Sequence, residues 1–397
     1  MLILNTHPDH DKALDPADAE TLSLEEARTV ERFLQHRPNH EPTPLHALDN
    51  LAKELGVASI HIKDEGFRLG LGSFKALGGS YAVIRLVLEA AGRKLGQPVD
   101  ISDLQSPAVR KIAETMTFGC ATDGNHGKSV AVGARMVGAK AAIFVHSGVS
   151  DERVAAIAQY GAEMIRVEGT YDDSVAEAER VCRENGWTVV SDTSWPGYER
   201  IPSLVMQGYT AMLGEALRAL PQPPTHVFIQ AGVGGLAAAV AGYFDIVFGD
   251  KRPKFVVVEP ERAACILESA RVGHPVKVEH GEATIMAMLE CYEPSLVGWR
   301  VLSRKAEAFM TVSEEDAAET MRRLARPKGS DPAIVAGESG CAGLAGLIRA
   351  AGDAEARAAL GLDGNARIFL INTETATDKA RYEAIVGTAP DKVLETA

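Results

Sequence analysis

The stretch Gly72-Ser73-Phe74-Lys75-Ala76-Leu77-Gly78-Gly79-Ser80 sets a single lysine among small and apolar residues. Ahead of it, Lys63-Asp64-Glu65-Gly66 ends a predicted strand, and behind it residues 81–88 have helical spacing. Lys75 therefore lies where a loop enters a helix. A lysine there has two readings. One is a solvated surface charge, the commoner case. The other is a desolvated amine able to form a Schiff base with a carbonyl, because burial lowers a lysine's pKa and frees its lone pair. The stretch alone does not choose between them.

On both sides, short apolar runs alternate with amphipathic segments. Strands are predicted over 58–63, 115–119, 141–145, 164–167, 187–191, 226–230, 255–259 and 367–372. Helices are predicted over 22–34, 45–55, 81–88, 126–137, 152–159, 174–184, 198–220 and 236–244. Pro42-Thr43-Pro44-Leu45 reads as a rigid extended tether. This alternation implies βαβ units and largely parallel sheets. The strands are too many for one compact sheet, so the expected class is α/β with two lobes. Pro221-Gln222-Pro223-Pro224 is the strongest punctuation between them.

The chain has 397 residues, 46% of them hydrophobic, which suffices for a sizeable core. Its net charge of −13 argues against a nucleic-acid binder, which needs clustered Lys and Arg. No run of about 18 apolar residues predicts a membrane span. The start, Met1-Leu2-Ile3-Leu4-Asn5-Thr6-His7-Pro8, lacks the features of a signal peptide. The five cysteines are scattered and odd in number, fitting neither a disulfide framework nor a zinc site. A reduced, cytoplasmic protein without a protein-built metal site is expected.

Three further stretches follow predicted strands. Ala231-Gly232-Val233-Gly234-Gly235-Leu236-Ala237 opens a helix, and glycines with free N–H groups at a helix start suit phosphate. It reads as a dinucleotide fingerprint with Glu259 on the ribose, as a phosphate cup for a smaller cofactor, or as a tight turn with no ligand. Its late position in the chain disfavours the dinucleotide. Thr122-Asp123-Gly124-Asn125-His126-Gly127 offers N–H groups for a carboxylate, an amide donor in Asn125 and a candidate base in Asp123. The same residues also make good turns and helix caps, and His126 reads as a helix-start residue only. In Ser191-Asp192-Thr193-Ser194-Trp195-Pro196-Gly197-Tyr198, Asp192 either faces a ligand crevice or caps the helix that follows.

Taken together and in this order, the Pro-Thr-Pro-Leu tether, the lysine motif, the Gly-Asn-His turn and the glycine loop resemble the fold type II pyridoxal phosphate (PLP) enzymes, the tryptophan-synthase-β-like group, over about residues 40–375. Within it, Thr122-Asp123-Gly124-Asn125-His126 and the 191–202 segment resemble the diaminopropionate ammonia-lyases. Residues 284–295 and Gly337-Glu338-Ser339-Gly340 are similar as well. The resemblance implies two open, mostly parallel α/β lobes with the cofactor in the cleft between them. Residues 1–79 plus 201–397 would form the large lobe and 80–200 the small one.

The resemblance also implies site roles. Lys75 carries the cofactor, Gly232, Val233, Gly234 and Gly235 cradle its phosphate, and Asn125 meets its phenolic oxygen. Thr373 meets the ring nitrogen. Thr122, Asp123, Gly124, Asn125 and Asp192 receive the substrate. Asp123 would take the α-proton of the D-isomer and Asp192 that of the L-isomer, one carboxylate on each face. One departure stands out. The family's final motif reads approximately Ser-Thr-Glu-Gly, whereas this chain has Asn372-Thr373-Glu374-Thr375, and a bulkier Thr375 is expected to affect cofactor packing. The expected reaction is elimination of ammonia from 2,3-diaminopropionate, giving pyruvate, by a homodimer acting on a small amino acid. The alternatives are a threonine/serine or 3-hydroxyaspartate dehydratase and, less favoured, an NAD-dependent oxidoreductase.

Overall fold

The computed structural model describes residues 1–37, 40–122 and 124–395. The chain divides into two compact units. The first comprises Met1–Leu24, Pro42–Phe74 and Met212–Ala397, and the second Glu25–Glu41 and Lys75–Ala211. Residues 25–41, expected with the large lobe, fall in the second unit. The crossings lie at 74/75 and 211/212 rather than 79/80 and 200/201.

Eleven strands run through the described residues. They are β1 (Leu2–Leu4), β2 (Leu45–Ala47), β3 (Ser59–Asp64), β4 (Thr117–Ala121), β5 (Lys140–His146), β6 (Glu163–Val167), β7 (Thr188–Val189), β8 (His226–Gln230), β9 (Lys254–Pro260), β10 (Ala308–Val312) and β11 (Arg367–Asn372). The first unit holds a seven-stranded sheet in the order β1-β10-β9-β8-β11-β3-β2. Its five central strands are parallel, while β1 and β2 close the edges antiparallel. Continuous apolar runs such as Val256-Val257-Val258 make these central strands, because both faces of a parallel sheet are covered. The neighbouring strands β8, β11 and β3 point the same way. The loops after them therefore leave from one edge: 231–235, 373–375 and the 65–74 segment that leads to Lys75.

Beneath that segment lies a fully buried network. Arg68 donates to both oxygens of Glu65, at 2.8 Å each, and to both oxygens of Glu215, at 2.9 and 2.7 Å. Lys63 pairs with Glu215 at 2.8 Å and donates to the Thr43 carbonyl at 2.7 Å. The Thr43 hydroxyl donates to Glu65 at 2.8 Å. Two cations meet two anions, so the group is neutral overall, as burial requires. It fixes the predicted tether to the sheet.

The second unit is built on a four-stranded parallel sheet, β6-β5-β4-β7. Helix Lys75–Leu95 packs closely on its neighbours because of its glycines. A Cβ on Gly78 would lie 2.7 Å from Val205 Cγ1, and one on Gly133 would lie 2.7 Å from Ser80 Cα. The glycines of the opening motif thus serve helix packing.

Several boundaries differ from expectation. Residues 45–55 are not one helix. Pro42 and Pro44 keep the chain extended, β2 pairs with β3, and the helix begins at Asp49. The long helix over 198–220 is two, Arg200–Gly208 and Thr210–Ala219. β1 and β10 were not predicted, the first being short and the second lying in a segment without clear punctuation. No helix among the described residues is long and apolar enough to cross a membrane.

Candidate active site

In the first unit, β8 runs into Ala231-Gly232-Val233-Gly234-Gly235, and helix Gly235–Phe248 follows. Gly234 has φ +95°, a conformation that suits glycine, and no side chain caps the helix start. A Cβ on Gly232 would stand 2.8 Å from Cys291 Sγ, and one on Gly234 would stand 3.0 Å from Ile266 Cδ1. The Val233 carbonyl accepts from the Ser295 N–H at 2.8 Å. With that carbonyl committed inward and the helix start uncapped, the loop suits an anion.

Thr373 ends the β11 edge and is buried. Its hydroxyl accepts from Gln230 Nε2 at 3.0 Å, which leaves the Thr373 O–H proton able to donate outward. Gln230 Nε2 also reaches the Gly340 and Ile371 carbonyls, at 2.8 and 3.0 Å. The Phe74 N–H donates to the Thr373 carbonyl at 3.0 Å, so the residue before Lys75 is hydrogen-bonded to this strand end. Thr375 donates its N–H to the Gly72 carbonyl at 3.0 Å. Its side chain occupies space opened by two glycines: a Cβ on Gly66 would lie 3.1 Å from Thr375 Cβ, and one on Gly72 would lie 3.3 Å from Thr375 Cγ2. The Thr375 side chain therefore packs against the loop that leads to Lys75.

In the second unit, Lys75 is the first residue of its helix, which starts six residues earlier than predicted. Its Nζ donates to Asp192 Oδ2. Burial alone would push the Asp192 carboxyl up, but the Lys75 ammonium holds it well below the usual carboxylate range. Asp192 is not a cap. The next helix begins at Arg200, and its N-cap residue Glu199 makes no side-chain capping bond. The turn carrying Asp192 is pinned by Tyr198, whose hydroxyl accepts from the Ser191 N–H at 3.0 Å and donates to the Val189 carbonyl at 2.8 Å. Trp195 stacks on Tyr198 with ring centroids 4.2 Å apart.

The 122–127 turn is partly self-satisfied. Thr122 Oγ1 accepts from the Gly124 and Gly127 N–H groups, at 3.0 and 3.1 Å, and the Thr122 N–H donates to the Phe144 carbonyl at 3.0 Å. Thr122 is therefore an internal cap, and two N–H groups expected for a carboxylate are committed within the fold. Asn125 opens helix Asn125–Val137. Asp123 lies outside the described residues. Glu259, the ribose partner in the dinucleotide reading, is buried and accepts from the Ile266 and Leu267 N–H groups at 2.8 and 2.7 Å. It caps helix Cys265–Val272 instead of facing a ligand, which removes that reading's support.

A family model for pyridoxal-phosphate dependent enzymes matches residues 36–374. The chain belongs to that family. Among its pyridoxal-phosphate dependent relatives, the diaminopropionate ammonia-lyase of Escherichia coli (strain K12) is 40% identical over 92% of each chain. That of Salmonella typhimurium is 38% identical over 89% of this chain and 90% of the relative. A crystal structure of the Escherichia coli enzyme, in complex with an aminoacrylate-PLP azomethine reaction intermediate, superposes with a TM-score of 0.87 at 38% identity, covering 97% of this chain and 96% of the other.

Pyridoxal phosphate fits the residues present. The glycine loop presents bare backbone at Gly232 and Gly234, where a Cβ would crowd Cys291 and Ile266, Thr373 offers a hydroxyl, and Lys75 offers an amine. The sequence reading missed Gln230 and the Arg68 network. Gln230, a polar residue ending the otherwise apolar β8, and the Lys63-x-Glu65-x-x-Arg68 run at the end of β3 were the available signals. His126 was set aside as a helix-start residue, yet its ring nitrogen Nδ1 lies 4.0 Å from Asp192 Oδ2.

Proposed function

We propose that this chain eliminates ammonia from 2,3-diaminopropionate in a pyridoxal-phosphate-dependent reaction. One substrate and one water give pyruvate and two ammonia molecules. The observation that carries this reading is the 40% identity to the Escherichia coli lyase across 92% of the chain. The Lys75–Asp192 pair supports it locally.

Lys75 would hold the cofactor covalently, Gly232 to Gly235 would bind its phosphate, Asn125 would donate to its phenolic oxygen and Thr373 to its ring nitrogen. Pyridoxal phosphate, when bound, withdraws electrons from the substrate's α-carbon and makes its C–H bond acidic. Asp192 removes the α-proton of the L-isomer and Asp123 that of the D-isomer. A hydroxyl rather than a carboxylate at the ring nitrogen suits β-elimination, in which the leaving group takes up the electrons quickly. A carboxylate base also attracts the β-ammonium group, which leaves as neutral ammonia when its bond to the β-carbon breaks. The enzyme acts as a homodimer in the cytoplasm.

The test is a substrate panel read by pyruvate and ammonia release. D- and L-diaminopropionate should each yield both products, well ahead of threonine, serine and 3-hydroxyaspartate. Turnover of threonine or serine in preference to either diaminopropionate isomer would replace this reading with a dehydratase. Light scattering on the purified protein checks the dimer.

A further inference from the structure

His126 is buried in the second unit, on the helix that begins at Asn125. Its Nε2 lies 2.8 Å from the Val190 carbonyl. A carbonyl only accepts, so Nε2 carries the hydrogen and Nδ1 of the neutral ring carries a lone pair. Nδ1 is shielded from solvent and has no hydrogen-bond partner among the described residues. It faces Asp192 Oδ2 at 4.0 Å, the same oxygen that accepts from Lys75 Nζ. A lone pair aimed at a carboxylate oxygen is unfavourable. A proton on Nδ1 would turn the same geometry into a charge-assisted pair.

We propose that His126 stores the proton that Lys75 releases when its amine turns neutral, with Asp192 as the bridge between them. This rests on the assignment of Lys75 as the cofactor lysine. An ammonium cannot attack a carbonyl, so Lys75 must shed a proton before it can react. One N–H bond breaks at Lys75 Nζ and one forms at His126 Nδ1. Before and after the transfer the trio holds one cation, one carboxylate and one neutral group, so no buried charge is left without a partner. Release of that proton to water would strand the Asp192 carboxylate instead.

Burial keeps the His126 ring below the usual histidine range. Asp192 opposes this and the Lys75 charge reinforces it. Among the described residues, Lys75 and Asp192 are the charged groups facing the ring, and Val190 supplies its remaining partner. Removal of the Lys75 charge therefore leaves Asp192 as the facing charge, set against burial and in favour of the protonated ring.

Ring nitrogen NMR on the full chain tests the proposal, with the His126 signal assigned through His126→Gln, which keeps a donor for the Val190 carbonyl. In Lys75→Met the His126 pKa should rise by at least about one unit, a tenfold gain in proton affinity. In the Lys75→Met/Asp192→Asn double variant it should fall back. An unchanged His126 titration in Lys75→Met, or a raised one that survives Asp192→Asn, overturns the proposal. Borohydride reduction with peptide mapping examines the underlying assignment separately. Cofactor trapped on another lysine would overturn that assignment whatever the NMR shows.

Discussion

Arg68 and Glu215, 147 positions apart in sequence, face each other as a two-pronged ion pair with both side chains buried. The pair joins the 65–70 turn to helix Thr210–Ala219 and shares its charges with Glu65 and Lys63. Arg68→Met leaves Glu65 without its cation and Glu215 with Lys63 alone. A loss of about 3–5 kcal/mol in unfolding free energy is expected, the range for breaking a buried pair. Urea denaturation measures it. Arg68→Lys should recover only part, because an ammonium cannot make two parallel bonds to a carboxylate. A loss under about 1 kcal/mol for Arg68→Met would put the network in the class of exposed pairs.

Lys75→Ala should abolish the visible absorbance of bound cofactor and the elimination activity together. Asp192→Asn should keep the cofactor and lower kcat for L-diaminopropionate by about 10²–10⁴, the usual contribution of a positioned base. Activity on the D-isomer should fall far less. Parallel losses on both isomers would show that Asp192 does not distinguish the two faces.

Gly234→Ala sets a side chain at φ +95° and 3.0 Å from Ile266 Cδ1. The left-handed backbone alone costs about 1–2 kcal/mol. If the loop relaxes, its N–H groups turn away from the phosphate. The Kd for pyridoxal phosphate, from equilibrium dialysis, should rise about tenfold or more, and an unaltered Kd would count against the phosphate assignment.

Glu259 gives a pH signature. Burial pushes its carboxyl from an ordinary 4.5 up to about 8, opposed by the two N–H groups it accepts from. In the unfolded chain the group ionises near its ordinary value, so the folded state binds the extra proton between the two. Its contribution to stability is fully present at the acid end and is lost as pH rises through about 8. Glu259→Gln does not ionise, so its midpoint of unfolding should fall less than wild type between pH 5 and pH 9. Identical pH slopes for the two proteins would contradict the shift.

What the sequence disclosed followed from how directly each residue's task constrains its neighbours. The parallel strands were legible because burial on both faces demands runs such as Val256-Val257-Val258. The glycine loop was legible because a phosphate needs bare backbone. Lys75 was ambiguous in isolation, since its partner Asp192 stands 117 positions away. His126 and Gln230 were passed over for a related reason. Each acts through groups distant in sequence, the Val190 carbonyl for one and the Gly340 and Ile371 carbonyls for the other. β2 was misread because a Leu-x-x-Leu spacing within 45–55 mimics a helix, while the two prolines ahead of it hold the backbone extended.

Thr375 shares one small volume with Gly66 and Gly72, and that sharing couples what each of the three positions can accept. Glycine at 375 would relieve the Thr375 contact at both positions, but Gly72 keeps φ +83° and a Cβ on Gly66 would still lie 2.9 Å from Asp64 Oδ1. A variant with Thr375→Gly would therefore leave a vacancy beside the lysine loop that a side chain at Gly66 or Gly72 could not simply refill.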